Sequence, residues 1–485
     1  MKRSIALLLS MLPLLSMLPL LAMLPLLALP VFSSEGSVTS DAPTGSTPSV
    51  SPPPTPIPPT PTLPSPLPGR TDTMILTLEE AWELALAQNR DIEKAEAYRE
   101  WVRGKYMEER AAAFPHLTVT GEALRTSDES FDAIYGDFAD FFPTTQDTRA
   151  GEVRLDQVLF TWGKVGAAIR AAKEGMASAE QQLRIYRQAA LRDVSEVYYD
   201  ILLTKEVQAI VQATFQQKLR HLEEAKKKYE LGTATDYDVL AAEVAVANAR
   251  PPVIRARNTK RRHYQRLKLL LALPPETEVD VAGALETVSA EVPAYTEARD
   301  TAFENRPELK DLTHMLGVQR QLLKIARAGD KPRLDLSAGI GRRKYYVGDL
   351  TSQGRTWDAG IYLTFPIFDG LATRGRVLQA RSDVTSAEIE LRKQQDAVAL
   401  QVRLALDNVE EARKILEAMA GTAEQAARLL QMAEKGYEYG VKTHLDVEDA
   451  QLNHSQSRGE LALARRDLLV ALTELERVMG VLGEE

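Results

Sequence analysis

The side chains best placed for chemistry gather around two glycines. Tyr437 precedes Gly440, and Lys442, Asp446 and Asp449 follow it. Two carboxylates three residues apart lie near one face of a helix, where they can attract cations and repel anions. A simpler alternative is that both complement the dipole of the helix that begins after Gly440. The same pattern surrounds Gly232: Asp238 stands where Asp446 does, but Ala241 stands where Asp449 does.

Little else suggests reactive chemistry. There is no GxSxG, phosphate-loop or HExxH pattern. The six histidines are scattered, with His444 and His454 ten apart. Gly339-Ile-Gly341 lies in a strand-like stretch and lacks the third glycine of a nucleotide fingerprint. The absence of cysteine excludes disulfides, thiolate metal sites, a cysteine nucleophile and a lipid anchor on an N-terminal cysteine. No catalytic residue, cofactor or metal site is expected, and the chain does not read as an enzyme.

Composition narrows the class. The 485 residues are 44% hydrophobic, enough for a packed core, with a net charge of −9 that argues against a nucleic-acid partner. A mean hydropathy of −0.23 excludes a multi-spanning helical membrane protein. Lys2 and Arg3 precede an apolar run from Ile5 to Phe32, broken by Pro13, Pro19, Pro25 and Pro30. This pattern reads as an export signal over residues 1–33, with Val31-Phe32-Ser33 near its cleavage site. A Pro/Ser/Thr-rich spacer follows over 34–72, with 12 prolines between Asp41 and Pro68.

The body reads as two copies of one unit, 73–281 and 292–480. Tyr229–Glu243 aligns with Tyr437–Gln451 at an offset of 208, with seven of fifteen positions identical. Further upstream the offset is 217, where Phe114-Pro115 matches Lys331-Pro332. Each copy reads as two helices, a strand, a loop, a strand, a long helix, a glycine turn and a shorter helix. The strands alternate in period 2, as in Trp357-Asp-Ala-Gly-Ile-Tyr-Leu-Thr-Phe365. A half-buried sheet has this pattern, and so does a barrel wall with lipid outside and water inside. Every seventh residue from Val377 to Ala433 is apolar, the mark of a left-handed coiled coil. A helix from Gly370 to Glu438 would be roughly 100 Å long. The two shorter helices of a copy could stack end to end beside it.

Four strands of about nine to eleven residues cannot close a barrel, so a membrane-spanning sheet would have to be shared between chains. Within the return helix of the first copy, Pro251-Pro252 predicts a kink or break. The basic stretch Arg255 to Lys268 reads as a solvated face, with an anionic partner as the alternative. The loop from Ser127 to Asp147 is rich in Phe, Tyr and Asp; on a membrane-spanning barrel it would lie outside the cell or pack its aromatics on the rim.

The paired Tyr-x-x-Gly-x-x-x-x-x-Asp-Val motifs (Tyr229 to Val239, Tyr437 to Val447) resemble those of TolC-like outer membrane efflux proteins. So do Val158-Leu-Phe160 and Phe365-Pro-Ile-Phe-Asp-Gly370 before the long helices. The resemblance implies an α+β, mostly α fold. In it, four strands per chain join a shared, trimeric, twelve-stranded transmembrane barrel over a helical tunnel of antiparallel coiled coils. It implies a homotrimer in the outer membrane of a Gram-negative bacterium, its helical body in the periplasm. The partners implied are outer-membrane lipid, a periplasmic adaptor, and an inner-membrane transporter or ATPase. The implied function is export of small molecules or secreted polypeptides in tripartite efflux or type I secretion. Asp446 and Asp449 match the family's periplasmic aperture. Asp238, Tyr437 and Lys442 match the link that ties neighbouring coiled coils shut, with lysine in place of arginine. Leu231, Gly232, Thr233, Tyr439, Gly440 and Val441 would form the tip that meets the adaptor. The competing function is an exported coiled-coil scaffold or adhesion protein without a pore.

Overall fold

The structure, a computed structural model, describes residues 73–127, 145–286, 291–347 and 350–483. The export signal, the spacer and most of the Ser127–Asp147 loop lie outside these. Among the described residues, no helix is long and apolar enough to cross a membrane.

Helices α1 (Leu78–Gln88) and α2 (Arg90–Ala111) lead into strands β2 (His116–Ser127) and β3 (Thr145–Phe160). Helix α3 (Lys164–Glu230) and its return helix α4 (Asp236–Leu270) form the first hairpin. Helices α5 (Tyr295–Asn305) and α6 (Pro307–Arg327), strands β5 (Arg333–Val347) and β6 (Leu350–Thr364), and the hairpin of α7 (Ala372–Glu438) and α8 (His444–Met479) repeat that order. Both α3 and α7 contain 67 residues. A small parallel pair, β1 (Met74–Leu76) with β4 (Val279–Val281), was not expected from the sequence.

The helices pack as four parallel rods. Helix α3 touches α2 on its upper half and α4 on its lower half; on another side it touches α6 above and α8 below. Helix α7 packs on α6 and α8. The shorter helices therefore stack in pairs, giving the order α2/α4, α3, α6/α8, α7. Of the seven-residue series on α7, Val398, Ala405, Ala412, Ala426 and Ala433 are buried. Tyr198 fastens β1 and β4 to α3 by donating its hydroxyl to the carbonyls of Ala282 (2.6 Å) and Leu76 (3.2 Å). Ile201, on the same helix, is fully buried in the cluster beneath that pair.

Helix α4 is continuous through Pro251 and Pro252, so of the expected kink or break the break does not occur. Val253 and Ala256, just beyond the prolines, are buried. This packing opposes the cost of the two proline rings and of the backbone bonds they cannot donate. Arg255, Arg257, Arg261, Arg262 and Arg266 are exposed, as a solvated face requires.

The sheet order is β2-β3-β5-β6, antiparallel throughout, so the β3–β5 pair joins the two halves of the chain. The strands have 12 to 16 residues, longer than expected, because pairing continues past the apolar segment into polar sequence. Among the described residues, the outer edges of β2 and β6 pair with no other strand. Glycine serves the sheet rather than a nucleotide. A Cβ on Gly341 would lie 2.5 Å from the Gly151 carbonyl, and one on Gly339 would lie 2.9 Å from carboxylate oxygens of Asp358 and Glu152. Replacing Ile201 with alanine should cost about 2–5 kcal/mol, read as a lower midpoint of thermal unfolding by helical circular dichroism.

Candidate functional site at the hairpin tip

The repeated motif is the chemistry of a helix–turn–helix junction. Gly232 and Gly440 adopt φ of 72°, a left-handed conformation open to glycine. At each, two amide groups close the end of the long helix: Thr233 and Gly232 donate to Lys228 and Tyr229, and Val441 and Gly440 donate to Gly436 and Tyr437. Three residues after each glycine a threonine begins the return helix. The Thr443 amide donates to Asp446 Oδ2 (2.8 Å), and the Asp446 amide donates to Thr443 Oγ1 (3.2 Å). Thr235 and Asp238 repeat this capping box at 2.8 and 3.3 Å.

Asp446 and Asp238 therefore have a local task in each chain. Hydrogen bonds from the Thr443 and Thr235 backbone and hydroxyl groups hold both carboxyls below the usual aspartate range. Both stay ionised near neutrality, and Asp446 also has Lys442 Nζ at 3.6 Å. Asp449 lies a turn further along α8 and is exposed.

The three expected link residues do not meet within one chain. Lys442 folds towards Asp446, over Gly436, where a Cβ would lie 2.6 Å from Lys442 Cγ. Tyr437 accepts a 3.4 Å hydrogen bond from Lys228 Nζ and packs against the His444 ring, with centroids 5.9 Å apart. Asp238 bonds to Thr235. At the tip itself Leu231, Tyr439 and Val441 are more than three-quarters exposed. Gly232, Thr233 and Gly440 are exposed beside them.

A cluster missed in the sequence joins the two hairpins just above this tip. Lys218 Nζ on α3 lies 2.5 Å from Glu448 Oε1 on α8, and His444 Nε2 lies 3.7 Å from the same oxygen. The rings of His221 and His444 meet edge to face at 5.1 Å. These residues are 230 and 223 positions apart in the chain, so no local pattern relates them. Burial, followed by the neighbouring His444 and Lys218 charges, lowers the His221 value despite the opposing pull of Glu224 and Glu448. Burial pushes the Glu448 carboxyl up, but the Lys218 hydrogen bond and the Lys218, His444 and His221 charges bring its net value down.

Both shifts have the same consequence. A histidine with a depressed value resists the proton that the opened chain accepts, so acid favours opening below about pH 6.5. A carboxylate with a depressed value loses its stabilising pairing as it is protonated at lower pH. Acidification from pH 7.5 to 5.5 should therefore weaken the α3–α8 contact. Hydrogen exchange at the His221 and His444 segments, corrected for intrinsic pH dependence, should rise, and His221→Gln should blunt the rise. Thr443→Ala should cost about 1 kcal/mol by removing the cap, read as lost exchange protection in the first turn of α8.

A profile of the family described as "Outer membrane efflux protein" matches residues 81–273 and 298–481. The alkaline protease secretion protein AprF of Pseudomonas aeruginosa is 27% identical over 422 residues, 86% of each chain. The probable efflux pump outer membrane protein TtgC of Pseudomonas putida is 24% identical over 83% of this chain and 82% of its own. The solved structure of the Campylobacter jejuni CmeC outer membrane channel superposes with a TM-score of 0.74 at 17% identity, covering 84% of this chain and 87% of that one. The expected fold class holds: mostly α, with long antiparallel coiled coils and four strands per chain for a barrel shared between chains. The poreless scaffold gives way, because the family is one of channels rather than enzymes or adhesins. The chain belongs to the outer membrane efflux protein family and is an outer-membrane channel of the efflux and type I secretion class, with its helical body in the periplasm.

Proposed function

We propose that three copies of this chain close into one exit duct. It receives cargo at the hairpin tip from a periplasmic adaptor and an inner-membrane transporter or ATPase. The observation that carries this reading is the pair of open edges on the protomer. β2 and α2/α4 lie at one edge, and β6 and α7 at the other. Both edges carry exposed apolar side chains, such as Trp101 and Leu240 on the first and Leu400 and Met432 on the second. A head-to-tail contact between unlike edges generates a closed ring.

The inward side of the sheet favours three chains over two. On that face Arg154 lies 2.5 Å from Glu152 and 3.3 Å from Asp358, and Ser337 donates to Asp156 at 2.7 Å. An eight-stranded barrel has room for little more than its own side chains, whereas twelve strands leave a lumen that hydrates such groups. The opposite face carries the apolar rungs, such as Val119-Val153-Ile340-Trp357, that outer-membrane lipid would cover.

Under three-fold symmetry Asp446 and Asp449 contribute six carboxylates to one narrow entrance, favouring cations. Asp446 keeps its capping role in that ring. Asp238, Tyr437 and Lys442 would bridge neighbouring hairpins in the closed state, and Lys442 would then exchange Asp446 for Asp238. The exposed Leu231, Tyr439 and Val441 suit an adaptor's apolar contact, with Gly232, Thr233 and Gly440 setting the turns beneath them. The cargo is a small molecule or a secreted polypeptide, chosen by the inner-membrane partner.

The test is single-channel conductance of the purified trimer in a planar bilayer, beside Asp446→Asn/Asp449→Asn. We expect a cation-selective pore whose selectivity drops several-fold in the variant. Unchanged selectivity would remove these aspartates from the entrance. A protein that is monomeric and soluble without detergent would overturn the channel assembly.

A further inference from the structure

The register of the sheet places an unexplained cationic hollow directly beyond its apolar band. Paired residues of antiparallel strands share a face, so the band can be followed rung by rung. It starts at Phe160-Leu334-Leu363, near the helical body, and ends at Val119-Val153-Ile340-Trp357. The next rung on the same face is Gly121-Gly151-Arg342-Arg355, and the one after it is Ala123-Arg149-Lys344-Gln353. Four cations thus occupy two successive rungs across three strands.

The fold leaves these cations without a close carboxylate partner of their own. Among the described residues, none of the four forms an ion pair. The carboxylate on that face, Asp147, is taken by Arg125 through two hydrogen bonds of 2.5 and 2.6 Å. Arg149 and Lys344 lie over the Tyr346 ring, at 5.4 and 4.6 Å from its centroid. Gly121 and Gly151 leave open space beside Arg342, since a Cβ on either would meet nothing within 4 Å. The resulting hollow, lined by Arg149, Arg342, Lys344, Gln353 and Arg355 with Arg343 and Gly354 of the intervening rung, measures about 330 Å³.

Its height decides what could fill it. From Phe365 at the base to Arg355 is ten residues, roughly 33 Å along the strand. With strands tilted by about 40°, this is a rise of roughly 25 Å, the height of an outer-membrane apolar band. The hollow faces outward, where the band ends and the headgroups of the outer leaflet begin. Like charges this close repel one another, and a multivalent anion relieves that cost. Arginine pairs bind phosphate through parallel N–H donors, and each such bond is charge-assisted.

We propose that this hollow binds the phosphate of a phosphorylated outer-leaflet lipid, holding one lipid headgroup on each protomer of the barrel. The inference rests on the barrel reading above, because only that reading turns this face towards lipid. The apolar band beneath covers the acyl chains of the same molecule, so chain and headgroup contacts are continuous. A free anion would gain only the headgroup contacts.

The test uses the purified trimer in neutral detergent. Binding is measured by native mass spectrometry and by the shift in thermal midpoint. The probes are bis-phosphorylated lipid A, the same lipid dephosphorylated, and inorganic pyrophosphate. We expect the phosphorylated lipid to bind at least about tenfold more tightly than its dephosphorylated form, with the difference shrinking as salt is raised. Arg342→Gln/Arg355→Gln should abolish the difference, whereas Arg342→Lys/Arg355→Lys should retain part of it. Equal binding of the two lipids, or a glutamine variant that keeps the difference, would overturn the proposal. Pyrophosphate binding as tightly as the lipid would make this a free-anion site and reject the lipid. Conductance recorded on the same preparations separates the two readings. A conducting trimer that ignores lipid phosphate defeats this proposal alone, whereas a chain that forms no membrane-inserted trimer defeats both.

Discussion

The outer edges of β2 and β6 impose the constraint on which the rest of the structure depends. Each presents a row of backbone amides and carbonyls that no other strand among the described residues satisfies. In water such an edge is tolerable, but in hydrocarbon every unpaired group costs several kcal/mol. A chain with this sheet cannot enter a membrane alone. It must meet the unlike edge of a neighbour, and the rods below carry matching open flanks for the same encounter. Assembly is thus a condition of insertion for this fold, and the pore is a consequence of closing the sheet.

The two ends of the protomer solve different problems with related means. At the membrane end the β3–β5 pair brings the two halves side by side, and glycines at 339 and 341 make room for close strands and for the inward polar cluster. At the tip each hairpin turns through a left-handed glycine and a threonine–aspartate box. Such junctions are well tied, because carbonyls at the end of the long helix and amides at the start of the return helix have partners within the turn. Well-tied turns leave movement to the contacts between hairpins. Those contacts are polar and titratable: Lys218 with Glu448, His221 with His444, Lys228 with Tyr437. Tight turns joined by weaker polar contacts suit a tip that opens by displacement of whole hairpins.

One physical distinction separates what was legible in the chain from what was not. The long helices, the two glycine turns, the strand alternation and the seven-residue series on α7 were all readable, since each depends on neighbours within a turn or two. The same locality explains why Asp446 and Asp449 read ambiguously, as aperture residues or as helix-terminal ones. A capping residue and an aperture residue look alike in sequence, and one carboxylate can serve both purposes. The helix α4 does not break at Pro251-Pro252, where the burial of Val253 and Ala256 opposes the local preference for a break.

By itself the amino-acid sequence determined the long helices, the four barrel-type strands, their order and the glycine turns, which follow from periodicity and turn residues whose range is short; the family followed from the resemblance of the repeated motifs. Only the tertiary structure decided the β3–β5 register, the side-by-side order of the rods and the meeting of His221 with His444. It also decided that Arg149, Arg342, Lys344 and Arg355 share one outward face. Each of these joins residues far apart in the chain. Register in particular is set by a whole strand, since a slip of one residue would turn every side chain to the other face.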